Sequence, residues 1–185
     1  MPLGSHYDRQ TCSLARTLEV VGERWTLLIV RDLFLGVHRF SALAAHLDIP
    51  RAVLSARLSA LEQDGLVERR PYRVDRDEFH LTQAGRELWP ALYALTQWGE
   101  RHRCAGGGPR RLWLHAACGT PLDDAGECRV CGVVPAPDEV ETRPGPGRDR
   151  PLRDDPASVA LRSPHRLLTP LELDDQRTQQ QLEAR

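Results

Sequence analysis

The feature that most constrains this chain is a pair of short amphipathic segments separated by about three residues, with a glycine and a strand directly behind them. In the second segment Leu54, Leu58 and Leu61 share one face, which predicts a helix from Pro50 to about residue 63. Gly65 then supplies a left-handed stop. Two helices joined this tightly are typical of a helix-turn-helix.

The segments upstream predict further helices. Residues 13–22 place apolar side chains at helical spacing, and residues 24–35 are apolar almost all round, as in the buried centre of a domain. The first helix of the close pair is predicted over residues 42–47, with Ser41 as its N-cap.

A hairpin follows the second helix of the pair. Residues 66–70 and 78–81 predict two short strands, and the polar loop PYRVDRD lies between them. Thr82 is expected to cap a last long helix, which runs from Gln83 to about His102 with a kink at Pro90. The order predicts an α+β, mainly α fold, a winged helix-turn-helix with a long C-terminal helix.

Charge distribution indicates how such a fold would contact nucleic acid. The net charge is −1 and all 25 basic residues are arginine, so bulk positive charge is excluded as the basis of binding. The exposed side chains at the start of the second helix of the pair would read base edges. These candidate readers are Arg51, Ser55 and Arg57.

The hairpin carries a second set of cations that we expect on the phosphate backbone, where they would add salt-dependent affinity. They are Arg69, Arg70, Arg73 and Arg76. The alternative for both sets is that they are ordinary solvated residues that pair with nearby acids. Asp75 and Asp77 also weaken the attraction of the wing for phosphate.

Three of the five cysteines and one histidine form a metal-ligand pattern. His115-x-x-Cys118-Gly and Cys128-x-x-Cys131-Gly resemble the two knuckles of a zinc ribbon, which predicts a structural Zn²⁺ as a possible cofactor. The segment has little core of its own, so metal would supply much of its folding free energy. A vestigial ribbon with free thiols and a redox pair remain open alternatives.

Cys12 lies just before the first helix, where a helix N-terminus stabilises a thiolate. It is a candidate sensor of oxidants or electrophiles. The alternative is a small apolar residue packed at a dimer contact.

Composition predicts four regions. Residues 1–104 form the winged helix-turn-helix DNA-binding domain, residues 105–111 a linker, residues 112–134 the ribbon-like segment, and residues 135–185 a largely flexible tail. No apolar run of transmembrane length and no secretory signal is present in the sequence, which favours a cytoplasmic location.

The chain resembles the HxlR-type winged-helix transcription regulators of bacteria, relatives of the MarR group. The segments that carry the resemblance are CSLARTLEVVGERWTLLIVRDLFLG, RFSALAAHLDIPRAVLSARLSALEQDGLVERRPY and EFHLTQAGRELWPALYALTQWG. The resemblance implies a homodimer on double-stranded DNA, with dimer contacts from the N-terminal segment and the last long helix. It also implies control of a nearby gene by a small-molecule or electrophile effector.

We therefore expect a sequence-specific transcriptional regulator that is not an enzyme and that binds an inverted-repeat operator. A repressor is favoured over an activator. One alternative is a winged helix that has become a protein-interaction module without DNA binding. Another is a small redox or metal-dependent enzyme built around the Cys-x-x-Cys pair, but the sequence shows no catalytic partner for it.

Overall fold

Two units share one hydrophobic core in this chain, as seen in a computed structural model that describes residues 7, 10–74, 76–104, 107–147 and 153–173. The first unit is the predicted winged helix, mainly α with a hairpin. Its elements among the described residues are α1 (Ser13–Val21), α2 (Thr26–Phe34), α3 (Phe40–Leu47), α4 (Arg51–Gln63), β1 (Val67–Arg73), β2 (Arg76–Leu81), α5 (Gln83–Arg86) and α6 (Trp89–Arg103).

The helical spacing of the leucines determines how α4 packs. Leu54, Leu58 and Leu61 are each at most 1% exposed and face the core formed by α2 and α3. The opposite face of α4 therefore lies outward. Gly65 ends this region with a φ of 70°, as predicted, and nothing lies within 4 Å of a Cβ built there. The glycine is thus required by its left-handed backbone and not by crowding.

Two details of the helix ends differ from expectation. Ser41 lies inside α3, whose N-cap position is Arg39, so the predicted serine cap is wrong. The last long helix is divided instead of kinked: α5 ends before residue 87, and Pro90 stands in the first turn of α6. A proline there costs no hydrogen bond, because the first turn has unpaired N–H groups in any case.

The second unit is a small antiparallel sheet with a helix. Its elements are β3 (Arg111–His115), a 3₁₀ turn (Pro137–Glu139), β4 (Val140–Pro144), α7 (Pro156–Ala160) and β5 (His165–Arg166). The strand order is β3-β4-β5, with Trp113 opposite Thr142 and Thr142 opposite His165. Since β3 pairs with β4, the loop that carries the three cysteines of the metal-ligand pattern connects two neighbouring strands of one sheet.

The prediction of a largely flexible tail is wrong for residues 135–147 and 153–173. Several side chains there are buried, namely Val140, Thr142, Ala157, Leu161, Leu167 and Leu171. Each short element contributes only one or two of them, and they face the surface of the first unit, so no periodic pattern marks them in the sequence. The rest of the predicted tail, residues 148–152 and 174–185, lies outside the described residues.

Aromatic and backbone contacts join the two units. The Trp113 ring lies 5.3 Å from the ring of Trp89 and 6.3 Å from that of Tyr93. The N–H of Leu168 donates to the Phe34 carbonyl at 2.7 Å. The second unit therefore packs on α2 and α6 and leaves the outer face of α4 exposed. No helix among the described residues is long and apolar enough to cross a bilayer.

Candidate nucleic-acid interface and metal centre

The outer face of α4 is small, exposed and without acid in its first turn. Arg51 and Ser55 lie on it, one turn apart, as predicted. The Arg51 guanidinium carbon is 5.1 Å from the centroid of the Phe40 ring at the start of α3. This stacking holds a permanent cation at the N-terminal end of the helix, where a recognition helix contacts bases.

Arg57 lies at the edge of this face. Its guanidinium is 3.6 Å from the carboxylate of Glu23, in the turn between α1 and α2, and its side chain is 31% exposed. An ion pair between groups as exposed as these contributes little free energy, so it does not fix Arg57. The position of Arg57 beside Glu23 nevertheless agrees with the alternative that this arginine pairs with a nearby acid.

Two of the four hairpin arginines have local carboxylate partners. Arg69 donates two hydrogen bonds to Glu62, at 2.7 and 2.9 Å, and its guanidinium carbon lies 5.3 Å from the Phe79 ring centroid. This pair braces β1 against α4, and the hydrogen bond to Glu62 raises the pKa of Arg69. Arg70 bonds to Glu68 on the same strand. Neither cation is as available as the sequence suggested.

The other two arginines lie at the hairpin tip. Arg73 and Arg76 are opposite each other in the register, and both are exposed. The Arg73 guanidinium carbon is 5.6 Å from the Tyr72 ring centroid. Asp75, expected between them to weaken phosphate binding, lies outside the described residues. The tip thus carries two exposed arginines.

Sequence reasoning missed further members of this surface. Arg39 lies with its guanidinium carbon 4.8 Å from the Tyr72 ring centroid and its Nε 3.3 Å from Glu78, next to the hairpin. Ala52, Val53 and Ala56 are exposed on α4. Apolar side chains on a recognition helix can contact the thymine methyl group. The sequence could have indicated these residues only because they do not lie on the face of α4 that carries the leucines.

The four predicted metal ligands meet in the second unit. One ligand atom each from His115, Cys118, Cys128 and Cys131 lies within 4.8 Å of the others. The Cys118 Sγ is 3.5 Å from both the His115 Nδ1 and the Cys128 Sγ. His115 and Cys128 are buried, whereas Cys118 and Cys131 are exposed.

Each knuckle closes in a tight turn at a left-handed glycine. Gly119 has a φ of 70° and donates its N–H to the His115 carbonyl at 2.8 Å. Gly132 has a φ of 66° and donates to the Cys128 carbonyl at 2.7 Å. The donor set is three thiols and one imidazole, which is an accepted ligand set for a closed, tetrahedral structural Zn²⁺. The residues therefore fit the metal.

Hydrogen bonding already distinguishes the thiols. A hydrogen bond with Thr120 lowers the pKa of Cys118 to about 6. The hydrogen bond to Cys118, with burial, raises the pKa of Cys131 to about 11. A thiol must lose its proton to ligate zinc, so Cys118 is prepared for metal and Cys131 would release a proton when metal binds.

Cys12 lies where the sequence placed it, as the exposed N-cap residue of α1. Its side chain makes no capping hydrogen bond, and its carbonyl accepts the N–H of Arg16 at 3.3 Å. Its role as a sensor stays a prediction.

The fold and the face of α4 define a winged-helix DNA-binding protein. The family model described as HxlR-like helix-turn-helix matches residues 20–105. Uncharacterized HTH-type transcriptional regulators of Mycobacterium bovis and Mycobacterium tuberculosis (Rv3095) are each 46% identical to the chain over 137 residues, which is 73% of this chain and 87% of theirs. The chain belongs to the HxlR-like helix-turn-helix family, whose members here are transcriptional regulators and not enzymes.

A solved structure agrees with this assignment. The crystal structure of PA1607, described as a candidate transcription factor, superposes with a TM-score of 0.60 at 32% identity, over 68% of this chain and 89% of that one. The match to the mycobacterial relatives also extends past the winged helix, because any stretch of 137 residues in a chain of 185 must include residues 112–134. The segment with the metal ligands is therefore part of the matched region.

Proposed function

We propose that this regulator binds an inverted-repeat operator as a homodimeric repressor, with α4 in the major groove and the hairpin tip on the phosphate backbone. The observation that carries the proposal is the acid-free, exposed start of α4, where Arg51 stacks on Phe40; the exposed Arg73 and Arg76 at the hairpin tip support it. Arg51 and Ser55 contact the base edges in this proposal. Arg57 can contact a base only when its ion pair with Glu23 is broken. A DNA-binding regulator of this kind would act in the cytoplasm.

Exposed apolar side chains on two helices support the dimer. Leu14 and Leu18 on α1 are 63% and 40% exposed, and Leu95 and Trp98 on α6 are 53% and 48% exposed. Large apolar side chains exposed on a helix face are typical of an interaction site. These are the two elements that the family resemblance assigns to the dimer contact. Trp98→Glu should therefore convert a dimer to a monomer in sedimentation analysis.

The test of DNA binding is fluorescence anisotropy with the DNA upstream of the protein's own gene, at two salt concentrations. Arg51→Ala should lower discrimination at one base position by roughly 1–3 kcal/mol. Arg76→Ala should weaken binding to every sequence and reduce the salt slope by about one unit. Arg143→Ala is the control, because it removes one positive charge, paired with Glu141, from β4 of the second unit and leaves the hairpin unchanged.

An unchanged salt slope in Arg76→Ala would show that the hairpin does not contact phosphate. No salt-dependent binding by an intact dimer would favour the alternative of a protein-interaction module. In that case the wing arginines Arg69 and Arg70 would serve only the pairs they form with Glu62 and Glu68.

We propose that the four-ligand cluster holds one structural Zn²⁺. Metal bound by His115, Cys118, Cys128 and Cys131 would fix the two knuckles and supply folding free energy to a segment with few buried side chains. The set leaves no open coordination position, so the site has no catalytic role in this proposal.

An effector could act at either of two places. A cavity of about 350 Å³ lies between α2, α6 and β3, lined by aromatic and aliphatic side chains with Arg31 and Glu100 at its polar part. Its volume is within the range of small-molecule sites. Cys12 is the alternative, for an oxidant or electrophile. Loss of operator binding on oxidation that Cys12→Ser prevents would identify the thiol; indifference to oxidation would direct attention to the cavity.

A further inference from the structure

We propose that His38, Glu78 and His80 form a second metal site, for a divalent transition-metal ion, at the base of the wing. One ligand atom from each of the three lies within 4.8 Å of the others, and the two imidazole ring centroids are 4.2 Å apart. This cluster lies in the DNA-binding unit and shares no residue with the Cys/His cluster of the second unit. Neither the family assignment nor the operator proposal uses it.

The hydrogen bonding of His38 leaves a nitrogen without a role. Its Nε2 lies 3.2 Å from the Leu33 carbonyl oxygen, which accepts only from an N–H, so the proton of the neutral ring is on Nε2. The Nδ1 then carries a lone pair. His38 is 4% exposed, and its Nδ1 has no hydrogen-bond partner within the part of the chain that the structure describes. A buried acceptor without a partner requires an explanation, and a metal ion supplies one.

This arrangement is also the one found around metal-binding histidines. Such a ligand usually donates its second ring N–H to a carbonyl or carboxylate, which fixes the tautomer and the ring orientation. The Leu33 carbonyl, at the end of α2, does this for His38 before any ion is bound.

Glu78 and His80 supply the other two ligands from one strand. They are two residues apart in β2 and so lie on the same face, opposite the buried Phe79. The Glu78 Oε1 accepts from Arg39 at 3.3 Å, while its Oε2 lies 3.4 Å from the His80 Nε2. One carboxylate oxygen therefore faces the imidazoles while the other is held by an arginine.

The backbone fixes the two segments relative to each other. The N–H of Phe79 donates to the His38 carbonyl at 2.9 Å, and Arg39 forms an antiparallel bridge with Glu78. Glu78 and His80 are partly exposed, so their side chains have room to rotate toward an ion bound by His38. Because His38 precedes α3 and the other two lie on β2, an ion there would connect the hairpin to the start of the helix-turn-helix.

The donor set identifies the class of ion. Two imidazoles and one carboxylate suit Zn²⁺, Co²⁺, Ni²⁺ or Fe²⁺, whereas Mg²⁺ and Ca²⁺ prefer oxygen ligands. Three protein ligands leave at least one position for water, unlike the closed Cys/His set. Arg70 is opposite Glu78 in the register and is paired with Glu68.

Cobalt titration of the reduced full-length protein distinguishes the two clusters. Thiolate ligands give Co²⁺ an intense charge-transfer absorption, and imidazole and carboxylate ligands give only weak ligand-field bands. We expect a Co²⁺ equivalent without thiolate absorption in the wild type, counted by equilibrium dialysis. His80→Gln should lose that equivalent and keep any thiolate absorption. Cys131→Ser should lose thiolate absorption and keep that equivalent.

Controls separate the site from adventitious histidine binding. His102→Gln, on the exposed end of α6, should keep the equivalent, and Glu78→Gln should weaken its affinity at least tenfold. Folding of each variant is checked by circular dichroism, and His80 is preferred to the buried His38 for this reason. The proposal is overturned if all bound cobalt shows thiolate absorption, or if the second equivalent survives in both His80→Gln and Glu78→Gln.

Discussion

The two units of this molecule are stabilised by different contacts. In the first unit, large aliphatic side chains of α2, α3 and α4 pack against one another, with Leu33, Leu43 and Leu54 fully buried. In the second unit, buried side chains such as Trp113 and Leu167 belong to the same cluster as the first unit's core. The comparison indicates that the first unit folds on its own helical pattern, whereas the second depends on the first and, in our proposal, on a bound metal ion.

The largest expected effect is the loss of the second unit when its ligands are removed. Cys128→Ser removes a fully buried ligand, and structural zinc supplies about 10 kcal/mol or more in small zinc domains at pH 7. We expect β3 and β4 amides to exchange hydrogen rapidly while those of α2 and α4 stay protected. Hydrogen exchange measured by mass spectrometry checks this.

Cys12→Ser is the matched control, since Cys12 is exposed and outside the cluster. Full protection of β3 and β4 in metal-free protein and in Cys128→Ser would contradict the dependence on metal. It would show instead that packing on the first unit is sufficient.

The same difference explains how far the sequence could predict the structure. The leucine spacing of α4 and the turn at Gly65 are local signals, and both predicted their elements. Ala157, Leu161 and Leu167 are buried only because the surface of the first unit lies opposite them, and a single sequence does not contain that information. The expected flexible tail was therefore an error about tertiary contacts.

The candidate interface shows a similar limit. Residue type and position predicted that Arg51 and Ser55 would be exposed on α4, because helical periodicity gives the face directly. The partners of Arg69 and Arg70 could not be predicted in the same way, since Glu62 approaches Arg69 through the packing of α4 on β1. The meeting of His115, Cys118, Cys128 and Cys131 was predictable because their spacing follows the pattern of a zinc ribbon, which is independent of the rest of the fold.

The next largest effect should follow from Trp113→Ala at the junction of the units. Trp113 is 8% exposed and contacts Trp89 and Tyr93, so its removal should cost about 4 kcal/mol of unfolding free energy. Urea unfolding should then show two transitions where the wild type shows one. Val134→Ala, which is exposed in the same unit, should cost under about 0.5 kcal/mol. A single transition in Trp113→Ala would mean that other contacts suffice to couple the units.

Asp32→Asn should act within the first unit. Asp32 is fully buried between Arg31 and His46, at 2.6 and 2.7 Å; burial raises its pKa, but these two partners bring the pKa below its usual value. Its stabilising contribution is thus present above pH of about 4 and is lost as pH falls through the lowered pKa. Asp32→Asn should lower the free energy of unfolding by about 3 kcal/mol at neutral pH. In urea unfolding at acidic pH, the free energy of unfolding of this variant should depend less on pH than that of the wild type. Asp64→Asn, exposed at the end of α4, should change neither; equal behaviour of the two variants would contradict the role of the buried pair.

The smallest effect tests the backbone contact between the units. Gly36 has a φ of 80°, and a Cβ built there lies 1.9 Å from the Thr169 carbonyl oxygen. Gly36→Ala should cost about 2 kcal/mol from left-handed strain and the displacement of this segment. Gly65→Ala is the matched control, because its φ is 70° with nothing within 4 Å, so strain alone applies.

The difference between these two glycine variants reports what the contact contributes. Leu168 and Leu171 donate their N–H groups to the carbonyls of Phe34 and Gly36, at 2.7 and 3.0 Å. These two amides should exchange faster in Gly36→Ala and stay unchanged in Gly65→Ala. Equal losses of stability, with both amides still protected, would mean that the segment can move without separating from α2, and that the second unit is held mainly by Trp113.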